Sequence, residues 1–298
     1  MCGIVGLHLR EPELHPRLGE LLTGMLGQVV ERGPDSAGVA VYGDPRLSPP
    51  GTTTVSLLPR GAAAEEIATA TQALLSQTVS FVDGGQTVVL SAAVADDELV
   101  DAVRRAAPDS LVIGHGADMA VLKGVGSPLA LAASFDLASA QGWQGVAHTR
   151  MATESAVTPE GSHPFSVGSG QCLVHNGSFA NHATIRRELR AEGVPFDSEN
   201  DSEVGARFVA HHLAQGADLE KSLRLLCERF DGFYTLLVST RDSFAVVRDA
   251  IACKPAIVAE TPQWVAMASE YRALAGLPGV ESARIFEPEP EVVYAWQR

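Results

Sequence analysis

No stretch of this 298-residue sequence reaches the ~20 consecutive apolar residues of a membrane-spanning helix. Its first residues also lack the basic-then-apolar pattern of a secretory leader. There is no basic run: 22 Lys and Arg stand against 36 Asp and Glu, a net charge of −14. That balance argues against nucleic acid and anionic membrane as partners, and it leaves any anionic substrate dependent on local arginines. Cysteines number four (Cys2, Cys172, Cys227 and Cys253), lie far apart and show no metal-ligand spacing, so no metal site is expected. Internal repeats and low-complexity tracts are absent. What remains is a chain of 46% hydrophobic and 19% charged residues, the composition of a soluble globular protein. Its length suffices for a substantial core, as one large domain or one domain with an insertion. A cytoplasmic location is expected.

The apolar periodicity predicts a first strand from Ile4 to Leu9 and an amphipathic helix carrying Leu18, Leu21, Leu22, Met25, Leu26, Val29 and Val30. Gly33 and Pro34 stop that helix. Further strands are predicted at 37–42, 145–150, 171–175, 232–240, 243–247, 256–258, 265–268 and 292–296, and helices at 181–192, 201–215 and 219–230. Strands that follow one another without intervening helices, beside grouped helices, imply stacked sheets covered by helices, an α+β fold. The segment 44–114 has a different texture. It reads strand (52–58), Ala-rich helix (62–76), strand (87–93), helix (97–106) and strand (111–113), and it opens on the Pro/Gly-rich stretch 44–51. It is expected to be a small α/β subdomain inserted within a domain spanning 1–298. As an insertion it should be replaceable by a short linker, because loop-closure entropy changes by only ~0.6 kcal/mol per doubling of length.

The chemistry begins at the second residue, in the run Met1-Cys2-Gly3-Ile4-Val5-Gly6. Removal of Met1 would leave Cys2 with a thiol and a free α-amine, whose reference pKa of ~7.7–8.0 lets it take the thiol proton near neutral pH. Nucleophile and base would then come from one residue. A thiol nucleophile also favours a reducing compartment. Four polar clusters accompany it: Arg32-Gly33-Pro34-Asp35-Ser36-Ala37-Gly38, His148-Thr149-Arg150-Met151-Ala152-Thr153, His163-Pro164-Phe165 and His175-Asn176-Gly177. Taken singly, each has an ordinary reading: a tight turn, a structural ion pair, a loop, a turn at a strand end. Arginine at the end of an apolar strand can also grip a carboxylate through two parallel hydrogen bonds. An asparagine amide beside a glycine N–H can offer two donors to an oxyanion.

In this order, and followed by Asn200-Asp201-Ser202-Glu203, the clusters resemble class II glutamine amidotransferases. These are N-terminal nucleophile hydrolases that release ammonia from glutamine. The resemblance runs from Cys2 to about Tyr271, includes Lys123-Gly124 and Ala268-Ser269-Glu270, and leaves out only the 44–114 segment. It extends to the glutaminase domains of amidophosphoribosyltransferase, glucosamine-6-phosphate synthase, asparagine synthetase and glutamate synthase. It implies a four-layer αββα sandwich and hydrolysis of L-glutamine through a Cys2 thioester. By the same resemblance Asn176 and Gly177 hold the oxyanion, Arg150 binds the substrate α-carboxylate and Asp201 its α-ammonium. Thr153 and His163 line the pocket, and Arg32 belongs to the loop that closes behind Cys2. Met151 and Glu154 depart from residues found in several relatives and bear on pocket shape. No cofactor is implied on this chain. The sequence stops after Trp296-Gln297-Arg298 without a phosphoribosyl-binding loop, sugar isomerase or nucleotide-binding module. In this it resembles the stand-alone amidotransferase subunits of archaeal-type glutamate synthase and bacterial N-methylglutamate synthase, whose flavin and iron–sulfur chemistry sits on partner chains. The alternatives are an N-terminal cysteine acylase of another kind and a non-catalytic assembly subunit that retains the fold.

Overall fold

A computed structural model of the chain describes residues 2–151 and 157–298. The chain enters through β1 (Gly3–Leu9), α1 (Leu18–Gly27) and β2 (Ser36–Tyr42). Next come β3 (Thr53–Leu58), α2 (Ala64–Leu75), β4 (Val79–Asp83), β5 (Val88–Ala92), α3 (Asp96–Ala106) and β6 (Leu111–Ala117). It continues through β7 (Met119–Val125), α4 (Pro128–Ser134), β8 (Gln144–Arg150) and β9 (Cys172–Phe179). Three helices follow, α5 (His182–Ala191), α6 (Asp201–Ala214) and α7 (Leu219–Arg229). The last strands are β10 (Gly232–Ser239), β11 (Ser243–Arg248), β12 (Ile257–Glu260), β13 (Trp264–Ala268), β14 (Arg284–Phe286) and β15 (Tyr294–Gln297).

These strands make a seven-stranded sheet in the order β14-β12-β13-β1-β8-β2-β7 and a four-stranded sheet in the order β15-β11-β10-β9, both antiparallel. The period-2 alternation of the strands explains the layering. Ile4, Ala40, Val121, Val146 and Met267 of the larger sheet face Val174, Leu237, Phe244 and Val246 of the smaller one. The intervening residues Val5, Leu7, Val39, Leu122 and Ala147 point the other way and pack with Leu18, Leu22 and Leu26 of α1. On the far side, Leu173, Leu236, Val238 and Val247 pack under Ile185, Val204, Phe208 and Leu223 of α5, α6 and α7. The result is the αββα sandwich of the α+β class. The sheets approach closely: a Cβ on Gly6 would stand 2.5 Å from Leu237 Cδ2. No described helix is long and apolar enough to cross a membrane.

A third antiparallel sheet, β4-β5-β3-β6, carries α2 and α3 on one face, with its own core of Val55, Leu57, Ile67, Leu90, Leu99 and Val103. Its other face meets the outer edge of β7, and side chains, not another strand, satisfy that edge. Val121 N–H donates to Ser56 Oγ at 2.9 Å, Lys123 N–H to Thr87 Oγ1 at 3.0 Å and Val125 N–H to Gln86 Oε1 at 2.8 Å. In return Thr87 Oγ1 donates to Lys123 O at 2.7 Å and Gln86 Nε2 to Val125 O at 3.0 Å. This corrects the expectation that a short linker could replace the segment. Removing it would strip the partners from an edge strand of the main sheet and leave a template for unwanted pairing.

Candidate active site

The N-terminus is held from three directions. Ile4 N–H donates to Ser269 Oγ, and Ser269 N–H returns to Ile4 O, both at 2.9 Å. The Cys2 carbonyl accepts Arg32 Nε at 3.0 Å and Asn176 Nδ2 at 3.1 Å. Arg32 is fixed in turn by Glu270, with Nη1 to Oε1 at 2.7 Å, and this hydrogen bond holds the Glu270 carboxyl below the usual carboxylate range. The Cys2 thiol is half-buried, 3.9 Å from Met151 O.

Cys2 opens onto a cavity of about 300 Å³, at the lower end of the ~300–1,000 Å³ of small-molecule sites. Arg150, Asn176, Gly177, Asp201 and His163 line the same cavity. Arg32 is not among its described lining residues; the structure puts it behind Cys2. Thr153 and Glu154 lie outside the described residues. The 40%-exposed Met151 stands at the cavity wall.

Arg150 ends β8 opposite Ser36 of β2, and its carbonyl accepts Asp35 N–H at 3.1 Å. A Cβ at Gly161 would lie 3.3 Å from its Nη1, so the small residue at 161 leaves the guanidinium its room. Asp201 is the first residue of α6, where Asn200 caps the helix by accepting Ser202 N–H at 2.9 Å. The Asp201 carboxylate accepts Phe179 N–H at 2.8 Å, which ties the helix start to the end of β9. The sequence reads His175-Asn176-Gly177 as a strand end, yet β9 continues to Phe179. Gly177 makes this possible. It pairs with Tyr234 at φ +145°, and a Cβ there would stand 2.0 Å from Phe233 O.

Sequence reasoning put His163 in the pocket but missed the row of histidines it belongs to. His163 Nδ1 lies 3.3 Å from His148 Nε2, and His175 Nδ1 bonds Ser202 Oγ at 2.8 Å. Burial pushes His148 down to about 3, with His175 and Arg150 adding to the effect. Burial likewise lowers His163 and His175. At neutral pH the row is uncharged. His148 Nδ1 and His175 Nε2 have no hydrogen-bond partner among the described residues. His148 and His175 were legible as parts of their triplets, but the adjoining arginine and asparagine carried the argument there. Lys254 also lines the cavity, and its surroundings in the sequence gave no signal. Among the described residues no group of three or more His, Cys, Asp or Glu could hold a metal ion.

The described architecture has known counterparts. A family model described as a glutamine amidotransferase domain matches residues 148–276. The glutamine amidotransferase-like protein GlxB of Rhizobium meliloti (strain 1021) is 48% identical, over 99% of this chain and 98% of its own length. A putative glutamine amidotransferase of Methanothermobacter thermautotrophicus is 28% identical over 99% of both chains. Among solved structures, glutamine phosphoribosylpyrophosphate amidotransferase from B. subtilis shares the fold at a TM-score of 0.59 and 18% identity, over 99% of this chain. This chain spans 49% of that protein. With a relative this similar over nearly its whole length, and with the αββα sandwich of the N-terminal nucleophile hydrolases, the chain belongs to the class II glutamine amidotransferases, the enzyme family whose substrate is glutamine.

Proposed function

We propose that this chain is a glutaminase subunit that hydrolyses L-glutamine to glutamate and ammonia at Cys2 and supplies the ammonia to a synthase on another chain. The observation that carries this reading is the shared cavity of Cys2, Arg150, Asn176, Gly177 and Asp201. A cation and an anion in one small cavity suit a free amino acid, whose α-carboxylate Arg150 takes and whose α-ammonium Asp201 takes. Once Met1 is removed, the Cys2 α-amine accepts the thiol proton, and the thiolate attacks the side-chain amide carbon. The oxyanion receives Gly177 N–H and an N–H of Asn176, whose amide has two donors and uses one on Cys2 O. Collapse breaks the C–N bond, the α-ammonium returns its proton to the departing nitrogen, and ammonia leaves a thioester. Water, deprotonated by the same amine, then hydrolyses the thioester to glutamate and regenerates the thiol. Neither half of the cycle needs a cofactor on this chain.

The acceptor chemistry is assigned to a partner of the glutamate synthase or N-methylglutamate synthase type, with flavin or iron–sulfur centres of its own, in the cytoplasm. The 44–114 segment is assigned to docking that partner or sensing its arrival. In support, none of its residues lines the 300 Å³ cavity, and it exposes Leu74 and Phe81. It also reaches the loop beside the cavity, where Arg60 pairs with Glu160 at 2.5 Å, next to Gly161. Purification from the native source, with co-eluting chains identified and ammonia release from glutamine assayed, tests the reading. Ammonia release and a co-eluting redox synthase are expected. Hydrolysis of acyl amides in preference to glutamine would refute it. Leu74→Ser with Phe81→Ser should release the partner and leave glutamine hydrolysis in place; unchanged co-elution would remove the segment from the docking surface.

A further inference from the structure

Among the described residues the cavity holds one charged side chain that the two clamps do not use. Lys254 lines it together with Asn176, Gly177 and Asp201. The Lys254 carbonyl accepts Thr235 Oγ1 at 2.9 Å, and Thr235 lies directly opposite Asn176 in the β9–β10 ladder. Residue 254 is therefore fixed beside the strand that carries both oxyanion donors. Its ammonium stands 5.0 Å from the ring centroid of Phe233, the residue whose carbonyl oxygen closes against Gly177. Among the described residues no carboxylate forms an ion pair with this ammonium; it faces an aromatic ring, which attracts a cation without neutralising it, and its charge also helps to lower His175.

The charge balance of the reaction says what such a group can do. Arg150 and Asp201 match the zwitterionic end of glutamine, and burial keeps the three histidines neutral. Glutamine's side chain is uncharged, so with substrate bound Lys254 is a positive charge without a counterpart among the described residues. The chemistry then creates a negative charge at the amide carbon, first as the tetrahedral oxyanion, formed while the Cys2 α-amine holds the thiol proton, and finally as the side-chain carboxylate of glutamate. An interaction that exists only once that charge forms accelerates the chemical step and leaves substrate binding alone. We infer that Lys254 supplies the counter-charge to the anion formed at the amide carbon, stabilising the oxyanion beside Asn176 and Gly177 and holding the side-chain carboxylate of the glutamate product. This rests on the reading of the cavity as a glutamine-hydrolysing site.

The test uses the full chain with its co-purifying partner and measures kcat and KM for glutamine and Ki for glutamate. Wild type, Lys254→Met, Lys254→Gln and Lys254→Arg are compared. Lys254→Met should lower kcat roughly 10- to 100-fold, less than the ~10²–10³ lost with a directly bonded oxyanion donor. KM should stay within about twofold, as expected for a contact made only in the transition state. The Ki for glutamate should rise about tenfold, the order of one charged contact. Lys254→Gln should follow Lys254→Met, and Lys254→Arg should recover most of both effects. A raised KM with kcat unchanged, or no change in any constant, would overturn the inference. Thermal midpoints of the variants separate loss of fold from loss of charge. A wild-type chain that releases no ammonia from glutamine would instead sink the underlying glutaminase reading.

Discussion

Thr87→Val tests whether the third sheet closes the edge of the main one. The Thr87 side chain is fully buried, and its hydroxyl serves both backbone groups of Lys123, accepting at 3.0 Å and donating at 2.7 Å. Valine is nearly the same size, so the substitution removes both hydrogen bonds without opening a cavity. Each buried group left without a partner costs ~1–3 kcal/mol, giving ~2–6 kcal/mol for the pair. At ~2 °C per kcal/mol, suited to a chain of this length, the thermal midpoint should fall by about 4–12 °C. Thr87→Ser, which keeps the hydroxyl, should lie much closer to wild type. Calorimetry measures the midpoints, and a glutaminase assay at 25 °C should show little change in rate, because residue 87 does not line the cavity. A Thr87→Val chain as stable as wild type would refute the claim that these side chains stand in for a neighbouring strand.

Cys2→Ala should fold and lose glutamine hydrolysis, and a chain that keeps Met1 should be nearly as inactive; intact mass and ammonia release check both. Asn176→Ala should lower kcat by ~10²–10³, whereas Asp201→Asn should act mainly on KM, raising it about 10- to 100-fold; the reverse split would exchange their roles. For pH, the folded-state values of His148, His163 and His175 are depressed below 6.5, so the unfolded chain binds more protons in acid. Their contribution to stability is complete above pH ~6.5 and is lost as pH falls toward the folded values, with a slope of at most ~1.4 kcal/mol per pH unit for each histidine. Melting curves from pH 7 to 4.5 should show this, and His163→Asn should flatten the profile; an unchanged slope would show that His163 stays ionisable in the fold.

Most strands of the two facing sheets were readable because both their faces are buried, which makes runs such as Ile4 to Leu9 and Gly232 to Ser239 almost wholly apolar or alternating. The elements that escaped have mixed environments. β7 carries Lys123 and Gly124 in an apolar run, and the first of these is buried at the sandwich edge, where Nζ lies 4.7 Å from the Phe165 ring centroid. In β4 the exposed Ser80 and Phe81 obscure the alternation, and β14 has only three residues. α4 is a seven-residue Ala/Leu turn of helix opened by Pro128, too short for periodicity to declare itself. The first helix ends at Gly27, before Val29 and Val30, and a separate 3₁₀ turn over Val30–Arg32 delivers Arg32 to the Cys2 carbonyl. No local pattern encodes that hand-over, since it depends on Glu270, 238 residues away in the chain.

The position of the site follows from the same alternation that builds the core. Along the inner face of β8 the residues run Val146, His148, Arg150, and along that of β9 they run Cys172, Val174, Asn176. Ile4 of β1 gives way in the same direction to Cys2, just ahead of the strand. Apolar side chains that lock the two sheets together are thus replaced, two residues further on, by groups that must be solvated, hydrogen-bonded or met by a ligand. β9 is the edge strand of its sheet, so the cavity can turn around it and reach His175, Gly177 and the start of α6 on the other side. This is why the motifs looked unremarkable singly: each is the polar end of an otherwise ordinary buried strand, and only the stacking of the two sheets brings Asn176 to within 3.1 Å of the Cys2 carbonyl. Buried His148 and His175 nitrogens without described partners mark the same transition. An apolar layer would pack those positions at lower cost, and their retention in the fold is what leaves room for chemistry between the sheets.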